Sequence, residues 1–356
     1  MLDNAQRPPR NEYIDIVKGV AIVLVVLGHS IQFGSGSDFR VANLFFSNWV
    51  YRIIYSFHMP LFMITGGFLA SYSLTKKNVV DIVSTRIKSL IFPAVSWSTL
   101  FASYDFVVKY LKNGESIRFL KIAKSYIKSC LFDLWFLWAM LVCIVLILIG
   151  RYFFKDRIWF YFAITLVALF LTDNWNFHLY KFNFPFFVAG YLYNKNNITS
   201  RFKNVNHRKI LMGYGFVVII YILLMTKYDY NSFIYTSKYA IIGMDLNKNL
   251  QQIMIDVYRF AVAICGIVVV LGLLYGAKTA QLIPTKVLIA LSKNSLCIYS
   301  LSHFLNSRLL MKITEHVSFR YGLVLLETFV MLVLTYGIAQ ILKKGKVFGV
   351  LLLGGR

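Results

Sequence analysis

Long apolar runs separated by short polar segments occupy this chain from end to end. A helix needs about 20 mostly apolar residues to cross the hydrocarbon of a bilayer, so the runs read as membrane spans. Ten are expected, at about 13–33, 50–73, 88–108, 131–150, 158–172, 178–193, 210–226, 257–276, 287–307 and 320–342. The fifth and sixth are short, and 182–193 contains Pro185 and Gly190, which point to a broken or tilted helix. The longest hydrophilic stretch, about 227–256, is too short for a soluble domain. Residues 1–356 are therefore read as one all-α polytopic membrane bundle, and any chemistry has to occur within it. No internal repeat is visible, whereas common secondary transporters are built from repeated halves.

Composition agrees: 58% of residues are hydrophobic and only 15% are charged. The net charge of +23 suggests nucleic acid in a soluble protein, but here the basic residues lie between apolar runs, where they act as topology signals and lipid-headgroup contacts. With Arg7 and Arg10 in the cytoplasm, the loops holding Lys77, Arg86, Arg151, Lys155, Arg157, Lys195, Lys203 and Arg208 fall on the same side, and both termini are expected there. One segment disagrees. Residues 109–128 carry Lys109, Lys112, Arg118, Lys121, Lys124 and Lys128, yet the count places them outside. Their apolar residues, Ile117, Leu120, Ile127 and Leu131 among them, suit an amphipathic helix at the interface. The polar N-terminus lacks a small-residue cleavage site, so the first run is read as an uncleaved helix. Cys130, Cys143, Cys265 and Cys297 are scattered and indicate neither a disulfide framework nor a zinc site.

The first span holds three ionisable residues, Asp15, Lys18 and His29. At about 100° per residue, Lys18 and His29 lie about 20° apart in azimuth and about 16 Å apart along the axis. Asp15 falls within about 60° of both. One polar seam thus runs down an apolar helix. Such groups cost several kcal/mol in hydrocarbon unless they face a cavity or a partner. The bland alternative is a start-transfer helix with a cytoplasmic lysine and one satisfied core histidine.

Depth connects this helix to two others. His29 lies about 24 Å from the cytoplasmic start of its span, in the outer half. His58, two residues before Pro60, lies about 12 Å from the outer start of the second span, which runs the other way. His303, in the ninth span, comes to the same level, with Asn294 lower on that helix. No carboxylate or cysteine accompanies these histidines at ligand spacing, so no metal is expected. Trp135 opens the fourth span, as part of an aromatic belt or as a stacking surface. Arg86 sits at the cytoplasmic mouth of the third, as a topology anchor or an anion clamp. Asp105 and Glu327 are further acids within the bundle.

The segments Asp15-x-x-Lys18-Gly19 through His29, Phe57-His58-Met59-Pro60-Leu61-Phe62 and Gly66-Gly67-Phe68-Leu69 resemble the membrane acyltransferase-3 family, in its branch of fucose O-acetylase-like polysaccharide acetyltransferases. Arg86 to Pro93, Leu134-Trp135-Phe136-Leu137, Phe186 to Tyr193 and Lys293-Asn294-Ser295-Leu296 to His303 extend the resemblance over essentially the whole chain. Many members carry Arg where this chain has Lys18, which keeps the charge and loses the planar fork.

The resemblance implies transfer of an acetyl group from cytoplasmic acetyl-CoA to a hydroxyl of a cell-surface or lipid-linked polysaccharide, in a bacterial inner membrane. Lys18 and Arg86 suit the phosphates of coenzyme A. His29 serves as base or as a transient acyl carrier. Asp15 holds Lys18, and His58 and His303 orient the acceptor or stabilise charge. Trp135 stacks on a sugar face, and Asn294 belongs to the same substrate set. A homo-oligomer is compatible with this reading. The alternative class is a transporter or flippase of a glycan or other anion. A purely structural subunit leaves the polar seam without a purpose.

Overall fold

The structure, a computed structural model, describes residues 11–76, 78–112, 114, 118–202, 206–239 and 245–355. Arg7, Arg10, Lys77, Ile117 and Lys203 lie outside the described residues. The described chain contains helices and no strands. All ten expected spans contain helix, and among the described residues seven helices are long and apolar enough to cross a membrane. Helix α1 is Glu12–Phe33. It is followed by α2 (Trp49–Lys76) and α3 (Val79–Tyr110). Then come α4 (Phe119–Phe132), α5 (Trp135–Phe154), α6 (Ile158–Leu169), α7 (Phe177–Lys195), α8 (His207–Met225) and α9 (Leu246–Thr279). The last are α10 (Thr285–Lys293), α11 (Ser295–Leu305), α12 (Tyr321–Lys344) and α13 (Lys346–Leu353). The protein is a multi-pass helical membrane bundle.

Local chemistry sets the limits of α1. The Asn11 side chain accepts the Ile14 amide at 3.2 Å, and the Gly34 amide closes the last turn on the Ser30 carbonyl at 2.8 Å. Pro60 donates no backbone hydrogen bond and would loosen α2, yet the helix continues through it. One to two turns beyond Pro60, α2 packs closely against α7. A Cβ at Gly67 would stand 2.0 Å from the Phe187 carbonyl oxygen, and one at Gly190 2.0 Å from that of Ile64. Only hydrogen at both positions lets the two backbones touch, the small-residue contact by which membrane helices associate. The sixth expected span is therefore one unbroken helix despite Pro185.

Other limits shift. The eighth span grows to the 34 residues of α9, about 51 Å long. About a third of the stretch expected to be a hydrophilic loop, from Leu246 on, is thus helix. The ninth span breaks at Asn294 into α10 and α11. The amphipathic segment forms α4, whose 14 residues include none that is buried. It packs back along α3, where Ser98 Oγ donates to the Ser129 carbonyl at 3.3 Å.

The two ends of the bundle are separately tied. At the end holding the start of α1, Glu12 pairs with Lys278 at 2.9 Å, and Lys195 pairs with Asp156 at 2.5 Å. At the other end Arg308 pairs with Asp105 at 3.0 Å and approaches Asp133 at 3.7 Å. Asp105, left without a partner by the sequence, is thus matched. The apolar core between the ends includes Val26, Leu61, Met63, Phe187, Val262 and Ile298.

Candidate active site

Three helices converge on the centre of the bundle, and each contributes one stripe. On α1 the stripe is Lys18, Val25 and His29. On α11 it is Ser295, Tyr299 and His303, each four residues from the last and so on one helix face. On α2 it runs from Ser73 through Gly66 and Met59 to His58 and Tyr55.

The stripes enclose two cavities. The first, of about 320 Å³, is lined by Lys18, Ser73, Arg86, Ser295 and otherwise mainly apolar residues such as Phe62, Leu69 and Leu137. Arg86 Nη2 donates to Ser73 Oγ at 2.5 Å, which aims the guanidinium at the cavity wall formed by α2. The second, of about 290 Å³, lies towards the other end and is lined by His29, His58, His303, Gln32, Asp133, Trp135 and Tyr235, among others. Val25, Met59 and Tyr299 line both. The two chambers are thus stacked on one axis with a wall of three side chains in common.

The histidines expected at one depth line this one chamber. The rings of His29 and His303 are 5.1 Å apart, tilted by 57°. Among the described residues no group of three or more His, Cys, Asp or Glu is placed to hold a metal ion. His58 Nδ1 lies 2.8 Å from the Ile54 carbonyl oxygen. A carbonyl only accepts, so Nδ1 carries a proton, and in the neutral ring Nε2 is left as an acceptor. Tyr55 packs on His58 with ring centroids 4.6 Å apart. It fits there because residue 28 is glycine: a Cβ would stand 2.7 Å from the Tyr55 ring. His29 differs, since its Nδ1 is buried without a hydrogen-bond partner among the described residues. Tyr235 is 39% exposed, into the chamber that it lines. A phenol keeps its proton at neutral pH, so the Tyr235 hydroxyl is available as a donor.

The sequence of the acyltransferase domain matches residues 11–344, nearly the whole chain. The chain belongs to the acyltransferase-3 family. Two curated relatives of this family member are named nodulation protein NolL. The one from Mesorhizobium japonicum is 28% identical over 185 residues, covering 52% of this chain and 48% of the relative. The one from Sinorhizobium fredii is 28% identical over 204 residues, covering 57% and 54%. The match thus spans about half the length of those relatives. No solved structure is significantly similar to the chain.

Within this acyltransferase-3 chain the candidate residues divide into three groups. Lys18 and Arg86 line the first chamber; His29, His58, His303 and Trp135 line the second. Asp15 is buried beside α10, where Ser292 Oγ donates to it at 3.4 Å. Asn294 lines neither chamber. Its amide donates to the Ala290 carbonyl at 2.7 Å and its oxygen accepts from Gln340 at 3.3 Å, so it fastens the break between α10 and α11. Lys88, a further basic residue near Arg86, is exposed and lines neither chamber. Tyr299 and Ser295 were missed. The spacing of four between Ser295, Tyr299 and His303 was legible, but serines and tyrosines abound here, and only the position of His303 over a cavity singles these two out.

Proposed function

We propose that this protein is an O-acyltransferase that moves an acetyl group from acetyl-CoA, held at the Lys18 end, to a sugar hydroxyl held at the His29 end. The observation that carries this reading is the pair of stacked chambers sharing Val25, Met59 and Tyr299. Two cationic residues at the first chamber suit the phosphates of coenzyme A. Its apolar wall suits an extended thioester arm. The second chamber offers what a hydroxyl acceptor requires: imidazoles as proton acceptors, hydroxyl donors and the face of Trp135.

The chemistry follows from these groups. His29 takes the proton of the acceptor hydroxyl. The freed oxygen attacks the thioester carbonyl carbon, a C–O bond forms, and Tyr235 or Tyr299 donates to the developing oxyanion. The C–S bond then breaks, and the proton on His29 passes to the departing thiolate. His58, with Nδ1 already engaged, offers Nε2 to a second hydroxyl of the acceptor and orients it. Asp15 sets the position of the first turns of α1, and hence of Lys18.

In this reading the Lys18 end faces the cytoplasm, where acetyl-CoA resides, and both termini lie there. The second chamber faces the outer side of a bacterial inner membrane, and the acceptor is a cell-surface or lipid-linked glycan. The test is transfer of labelled acetyl from acetyl-CoA to glycan by membranes containing the protein. Wild type moves the label, and His29→Ala abolishes the transfer at equal protein level. Full transfer by His29→Ala overturns the mechanism. Movement of unmodified glycan across the membrane, with no acetyl transferred, replaces the reading with a transporter.

A further inference from the structure

One feature of the sequence stays outside the acyl-transfer account: the cationic segment that the charge rule assigns to the wrong side. It forms α4, which carries Lys121, Lys124 and Lys128 and no acid. It stands at the His29 end of the bundle, since Phe132, its last residue, and Asp133 beside it both line the histidine chamber. A groove of about 490 Å³ runs along α4, lined by Lys124, Ile127, Lys128, Leu131, Phe132 and Asn174. Phe132 thus borders both the groove and the reaction chamber.

The groove has two chemical characters side by side. Lys124 and Lys128 are one helical turn apart, both exposed, and neither has an ion-pair partner among the described residues. Ile127 and Leu131 form a second pair at the same spacing, and Ile127 keeps 55% of its surface exposed. An ammonium pair alongside an apolar strip is complementary to a phosphate that ends a hydrocarbon chain. Topology gives no reason for cations at this end, because the signal for retention belongs to the opposite side. Their place beside the chamber gives one.

We infer that α4 binds the phosphate of a lipid-linked acceptor, with Lys124 and Lys128 on the phosphate, the lipid tail along Ile127 and Leu131, and the sugar directed past Phe132 into the histidine chamber. This inference rests on the acyltransferase reading and names the class of its acceptor as a glycan carried on a lipid phosphate.

The test uses the full chain in phosphatidylcholine nanodiscs doped with a polyprenyl monophosphate, with retained lipid measured by native mass spectrometry. Wild type retains the polyprenyl phosphate. Lys124→Gln/Lys128→Gln retains at least about tenfold less, and Lys124→Arg/Lys128→Arg retains as much as wild type. A tenfold excess of phosphatidylglycerol leaves the bound lipid in place. Equal retention by the glutamine variant, or displacement by phosphatidylglycerol, overturns the inference and leaves α4 as a general interfacial helix. Acetyl transfer to a soluble, phosphate-free sugar is followed in parallel and is unchanged in the glutamine variant. Absence of acetyl transfer from acetyl-CoA to glycan in wild type, with lipid-linked acceptor included, condemns the acyltransferase reading, whatever the lipid result.

Discussion

Two regions of this bundle bury polar groups, and they treat them in opposite ways. Around Arg259 on α9 every donor is used. The guanidinium is 3% exposed and donates to Asp256 at 2.8 Å, to the carbonyls of Asn231, Ser232, Phe233 and Lys238 at 2.8–3.1 Å, and to Ser237. Close by in the fold, Lys181 pairs with Asp173 at 2.7 Å, and Asp173 accepts the Tyr239 amide at 2.6 Å. Around the second half of α1, polar atoms are left over. His29 Nδ1, the hydroxyls of Ser30 and Ser35, both amide atoms of Asn306 and both oxygens of Glu327 are buried without hydrogen-bond partners among the described residues. Glu327 lies on α12, which packs on α1, and Asn306 lies in the π turn Asn306–Leu310 that packs on α1 after α11. A satisfied buried network fixes a fold; each unsatisfied group costs about 1–3 kcal/mol until something binds it. The first region is scaffold. The second leaves polar atoms without partners among the described residues, and of its members His29 lines the histidine chamber.

The comparison is tested first where the effects are largest. Arg259→Met leaves Asp256 buried without its cation and costs about 3–5 kcal/mol, read as lost accumulation and a lowered Tm in detergent. His29→Ala lowers acetyl transfer by about a thousandfold while accumulation and Tm stay close to wild type. If His29→Ala unfolds the protein, or Arg259→Met keeps its stability, the two regions have been assigned the wrong way round. Next comes the first chamber. Lys18→Ala or Arg86→Ala raises the KM for acetyl-CoA by roughly tenfold to a hundredfold, the worth of a hydrogen bond to a charged group, with a smaller change in kcat. Lys18→Arg keeps the KM within about threefold of wild type. Smallest is Glu327→Gln, which changes stability by no more than about 0.5 kcal/mol, because no existing bond is lost. The same change at Asp256 breaks its pairing with Arg259 and costs several times more.

Much of this was legible in the chain. The seam of α1 follows from arithmetic at 100° per residue, and the shared depth of His29, His58 and His303 follows from the rise per residue. Both are properties of single helices placed in a slab of known thickness. What stayed hidden depends on contacts between helices. Asn294 reads as one more polar residue in a span, and only its bonds to Ala290 and Gln340 reveal a fastening at a helix break. Asp105 and Glu327 look alike in sequence, yet one meets Arg308 and the other meets no hydrogen-bond partner among the described residues. Pro60 suggests a weakness, yet α2 continues through it and packs on α7 one to two turns beyond. The junction of Val25, Met59 and Tyr299 was beyond reach, since two of its members are ordinary core side chains until two cavities are seen to share them.

That junction decides whether the chambers act together. The direct measurement uses sealed proteoliposomes in one orientation, with acetyl-CoA confined to the Lys18 side and the glycan acceptor to the His29 side. Acetylated glycan is expected on the far side, and that product is lost in Met59→Trp, whose indole fills the shared wall. Product formed only when acetyl-CoA and acceptor are on the same side would contradict joint action of the two chambers.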